Sequence, residues 1–114
     1  MISSPQPSER RRSGRVALRI PVEIEGVART HRGATVVVND DGALVISPTA
    51  CREGELLTVR NLMTGRTAVF RVTTLRPRDV HLRGFPLGVA MVGDSAREFW
   101  GALYDHVPRS ARAR

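Results

Sequence analysis

From Val16 to Glu25 apolar and other residues alternate almost without interruption. Val16, Leu18, Ile20, Val22 and Ile24 fall on one face, and Ala17, Arg19, Pro21, Glu23 and Glu25 on the other. A period of two sustained over this length predicts a half-buried strand with the aliphatic face inward. Pro21 has no N–H to give to a ladder, so the strand lies at an edge or carries a local break there. A second strand is predicted over 32–38, where β-branched residues cluster. Asn39-Asp40-Asp41-Gly42 has turn chemistry, and 43–46 returns as the other arm of a hairpin. Further strands are expected over 56–62, 67–75 and 87–92, with a turn at Thr64-Gly65, a loop over 48–54 and a polar connection over 77–86.

The period changes after Gly93. Phe99, Trp100, Leu103, Tyr104 and Val107 recur at helical spacing, and Ser95 with Glu98 has the spacing of a capping box. Pro108 ends the helix. The aromatic stripe is read as packing on the sheet, with a partner-binding helix face as the minor alternative. About six short strands and one amphipathic helix predict an all-β fold: a small six-stranded antiparallel β-barrel with one C-terminal α-helix.

The 114-residue length suits a single domain. Aromatics are only 4% of the chain, so Val, Leu, Ile and Ala must fill the core. The formal charge of +7 is unevenly spread. Residues 1–15 carry four Arg and one Glu, and 107–114 carry three Arg, which leaves the body between them near neutral. Every basic residue is Arg, a bias that a GC-rich genome would produce, so the placement of arginines says more than their number. The expected organisation is a disordered leader over 1–9, a barrel domain with its helix over 10–107 and a basic tail over 108–114. A chain this short is expected to act through a separate protein.

Cys51 is the one cysteine, which excludes an intrachain disulfide. No apolar run reaches membrane-span length, and the polar N-terminus lacks the apolar stretch of a signal peptide. These features point to a cytoplasmic protein without membrane insertion. His31, His81 and His106 are not paired with other ligands at metal-site spacing. No nucleophile–base arrangement or glycine-rich phosphate loop stands out, so neither a catalytic nor a metal site is expected, and the chain is read as a non-enzyme.

The run Arg10-Arg11-Arg12-Ser13-Gly14-Arg15 carries the most pointed chemistry. Arginine forks suit phosphate oxygens and guanine edges, and several held beside a rigid sheet would clamp a small phosphorylated ligand. The plain alternative is a disordered basic arm.

The order of these features resembles that of PilZ domains over roughly residues 10–105. The shared features are an RxxxR segment (Arg11, Arg15) before a proline-containing strand, an apolar Gly42-Ala43-Leu44-Val45 strand after a turn, Gly54 to Val59, and a late Gly88-Val89-Ala90-Met91 strand. The resemblance implies a bacterial signalling barrel that binds cyclic di-GMP and needs no other cofactor. It implies ligand contacts from Arg11, Arg12 and Arg15. In the family a second motif, [D/N]xSxxG, completes the site. Anchored on Gly42, that motif places Asn39 at the serine position and Val37 at the Asp/Asn position. Asn39 and Gly42 are therefore the remaining expected ligand residues, and Val37 departs from the pattern. Asp40 and Asp41 add negative charge beside the expected phosphates.

Three functions follow. The first is a cyclic di-GMP module acting on an unidentified partner protein. The second is a degenerate interaction module that does not bind the nucleotide. The third is a nucleic-acid-binding barrel, ranked last because the strands offer almost no aromatic for base stacking.

Overall fold

The computed structural model describes residues 15–26 and 29–108. Its strands are β1 (Val16–Ala17), β2 (Pro21–Glu25), β3 (Thr30–Asn39), β4 (Gly42–Ser47), β5 (Leu56–Asn61), β6 (Thr67–Leu75) and β7 (Phe85–Met91). Six of them close a barrel in the order β3-β2-β5-β6-β7-β4, with β4 returning to β3. All pairings are antiparallel. The predicted six-stranded barrel with a C-terminal helix is the fold. No helix among the described residues is long and apolar enough to cross a membrane.

The aliphatic face of the first strand points inward. Ile20, Val22 and Ile24 are buried, and the half-buried Val16 and Leu18 pack against the same core. The strand is not continuous. Residues 18–20 leave the ladder, and β1 and β2 lie end to end along β3. The Thr35 hydroxyl spans the gap, donating to the Leu18 carbonyl at 2.7 Å and accepting from the Ile20 N–H at 2.8 Å. Pro21 opens β2, a position where its missing donor is tolerated.

Two bulges bend the sheet. In β3 the register slips between Thr35 and Val37, and in β6 between Val72 and Thr74. Each inserts one unpaired residue and turns the side chains beyond it to the other face. Thr35 and Val38 therefore both point inward although they are three positions apart, and Val37 and Asn39 share the outer face. The last strand begins at Phe85 rather than Leu87, with Pro86 opposite Ile46.

The helical segment departs from its expectation in two respects. It is a single α turn, α1 (Ala96–Trp100), followed by a 3-10 turn over Gly101–His106. Gly101 at φ +60 separates them, because a left-handed residue cannot continue the α-helix. The capping box is not formed: the Ser95 hydroxyl makes no cap bond and reaches the Met91 sulfur at 3.8 Å instead. Ser95 at φ −95, ψ 29 lacks the extended backbone of a capping residue. Packing compensates. Phe99 and Trp100 are buried in the barrel core, Phe99 edge-on to Phe70 at 5.2 Å between centroids. The buried Asn61 amide and the Thr64 hydroxyl both donate to the Phe99 carbonyl, which pins α1 to the β5–β6 turn.

Replacing Ile20 by Ala should cost about 2–5 kcal/mol, because it opens a cavity in a closed core. Leu18→Ala, at a half-buried position, should cost less; equal losses in urea unfolding would contradict the assigned faces. Thr35→Val keeps the shape and removes both hydroxyl bonds at the gap while the backbone bonds there remain. It should cost about 1–3 kcal/mol by the same measurement, the penalty for leaving buried polar groups unpaired.

Candidate functional site

The outer face of β3, β4, β7 and β6 carries a hollow of about 230 Å³. Its floor is made of small residues on facing strands. Gly42 pairs with Ala90, and Gly88 stands between Leu44 and Thr74. A side chain at Gly42 would collide with the Val89 carbonyl oxygen, and one at Gly88 with the Thr74 hydroxyl. The strands thus approach one another more closely here than ordinary residues permit. The two bulges flank the floor, one in β3 and one in β6.

Polar groups stand around this apolar floor. Arg15, Asn39 and Asp41 border it on the β3–β4 side, and Thr73, Thr74 and Arg76 on the β6 side. The Asn39 side-chain Oδ1 accepts from the Asp41 N–H at 2.8 Å, an Asx turn that spends the acceptor and leaves the side-chain amide hydrogens as the donor groups. The Asp41 carbonyl in turn accepts from Met91 N–H, and Asp40 N–H donates to the Pro108 carbonyl at 2.9 Å. The turn is therefore braced against both β7 and the end of the helical segment. The Thr73 hydroxyl donates to the Gly88 carbonyl at 3.1 Å.

Three of the residues expected at a ligand site come together in this hollow: Arg15, Asn39 and Gly42. Arg11 and Arg12 lie outside the described residues. Val37 and Asn39 both face the hollow, and Val37 presents an apolar surface where the second motif would have a polar group. Of the two turn acids, Asp41 borders the hollow and Asp40 does not. Two guanidinium groups against one carboxylate leave its described rim with an excess of positive charge.

Sequence reasoning missed Thr73, Thr74 and Arg76. They lie far along the chain from the arginine run, and only the pairing of β6 with β7 brings them across from Asn39. The adjacent polar pair Thr73-Thr74, which breaks the alternation of β6, was the one available signal.

The other singled-out residues do not assemble elsewhere. His31 is hydrogen-bonded to the Thr49 hydroxyl at 2.9 Å. Among the described residues no three His, Cys, Asp or Glu side chains gather as metal ligands would. Burial, and secondarily the Glu55 carboxylate, pushes the Cys51 thiol up from its ordinary value, which keeps it in the unreactive neutral form.

The chain is thus an antiparallel six-stranded barrel bearing a rimmed hollow on its outer surface. No family model matches it, and no curated protein is similar to it.

Gly42→Ala should destabilise the barrel by about 1–3 kcal/mol, because the new methyl group meets rigid backbone of β7. A melting temperature equal to the parent's would show that β4 and β7 can separate, and that Gly42 is not needed for packing.

Proposed function

We propose that this protein is a PilZ-type module that binds cyclic di-GMP in the outer hollow and acts on a separate partner protein. The observation carrying this reading is the convergence of Arg15, Asn39 and Gly42 on one concavity, from two separate stretches of the chain. The chemistry suits the ligand. Guanidinium forks give charge-assisted, bidentate bonds to phosphate, and an apolar floor gives a base or sugar a surface to lie on. Arg15 directly precedes β1, so it is anchored to the barrel, whereas a free basic arm would leave it untethered.

One observation favours the second reading, a module that engages a protein without the nucleotide. Val37 places an apolar side chain in the hollow, and Asp41 places a carboxylate at its rim. Both work against a phosphorylated ligand. Nucleic-acid binding has less support. Phe70, Phe99 and Trp100 are buried in the core and unavailable as stacking platforms.

Calorimetric titration with cyclic di-GMP at modest salt tests the proposal. Saturable one-site binding is expected, and Arg15→Ala should weaken it by about 1.5–3 kcal/mol, the range for a hydrogen bond to a charged group. Lysine at this position should restore only part of the loss, because a point charge lacks the planar fork. Removing the tail arginines Arg112 and Arg114 should change little. Equal losses from tail and Arg15 substitutions would indicate a diffuse polyanion binder, and absence of binding by the parent would favour the interaction module.

A further inference from the structure

Arg76 stands on the far wall of the hollow from Arg15. Arg15 precedes β1, which pairs with β3 on the edge away from β4, so β3, β4 and β7 lie between it and β6 and four strand spacings separate the two walls. At the usual interstrand distance that is about 19 Å along the sheet. The Arg76 backbone is anchored, its N–H donating to the Pro86 carbonyl at 3.2 Å. The ion pair recorded among the described residues joins Arg60 and Glu23, and Arg76 has no such carboxylate. Beside it, the β6 bulge places Thr73 and Thr74 together on the same wall.

We propose that Arg76 reads the O6/N7 edge of a guanine base and so sets the base specificity of the site. This inference rests on the cyclic di-GMP reading and extends it to a residue outside both motifs of the resemblance. A single phosphate is too small to reach both walls. When a phosphate is held at Arg15, the part of a cyclic dinucleotide that reaches the β6 wall is a base. Guanine presents two adjacent acceptors, O6 and N7, which match the paired donors of a guanidinium fork. Adenine presents a donor at the equivalent of O6 and repels one arm of that fork. Val37 makes the β3 wall apolar where a polar contact would have oriented the ligand. Arg76 supplies an orienting contact from the opposite side.

The experiment compares cyclic di-GMP with its 7-deazaguanine analogue, which lacks the N7 acceptor, by calorimetry on the parent, Arg76→Ala and Arg78→Ala. Arg78 is an exposed neighbour that does not border the hollow. In the parent the deaza change should weaken binding roughly tenfold or more, the scale of a lost bidentate base contact. Arg76→Ala should bind the natural ligand weaker by a similar factor and respond little to the deaza change, with an unchanged melting temperature. Arg78→Ala should behave as the parent. An Arg76→Ala protein that keeps the parent's affinity, or keeps the full deaza penalty, overturns the proposal and leaves the nucleotide reading standing. A parent that binds neither ligand overturns the nucleotide reading itself and the Arg76 assignment with it.

Discussion

The Thr35 hydroxyl is the constraint on which the placement of the first strand depends. It holds the chain on both sides of the 18–20 break, as donor to Leu18 and acceptor from Ile20. Without that bridge two main-chain groups would be left unpaired at a nearly dry position, since Thr35 is only 2% exposed. β1 continues along β3 because this bridge, together with the Leu18 N–H to Val36 and Thr35 N–H to Ile20 backbone bonds, carries it over the gap, with Val16 opposite Val38. The residue immediately before β1 is Arg15. A core hydroxyl thus determines where the arginine segment meets the barrel.

The closure of the barrel and the location of the hollow have a common origin. A closed sheet needs strong local curvature, and here it is concentrated at the bulges of β3 and β6. Between them, Gly42, Gly88 and Ala90 let the strands approach closely on the outer face. The resulting concavity is a by-product of close strand approach, and polar residues at its edges make it chemically selective. Asp41 illustrates how structural and chemical roles overlap: its carbonyl braces β7 while the residue also borders the hollow.

Period and turn chemistry made much of the architecture legible. The alternation from Val16 to Ile24 identified an inward face, and Asn39 to Gly42 did form a hairpin turn. The bulges were not legible, for a physical reason. Val36, Val37 and Val38 are alike in polarity, so an inserted residue leaves no trace in the pattern. In β6 the adjacent polar pair Thr73-Thr74 does interrupt the alternation, but such a pair does not distinguish a bulge from the end of a strand. The C-terminal helix was legible as one element, but its apolar spacing does not reveal that Gly101 adopts a left-handed backbone and divides it into α and 3-10 parts. Within the site, Asn39 and Gly42 were accessible through local motif spacing. Arg76 was not, since its membership depends on which strands become neighbours after closure.

The bond from Asp40 N–H to the Pro108 carbonyl ties the end of the helical segment to the same turn that borders the hollow. Arg15 stands at that hollow as well. The two described ends of the barrel therefore share one pole of the molecule. A polypeptide joined at either end would be tethered beside the concavity. For a biochemist choosing where to attach a fluorophore or an affinity handle, the exposed Arg52 and Glu53 of the β4–β5 loop, at the opposite end of the strands, are the positions that leave this pole unobstructed.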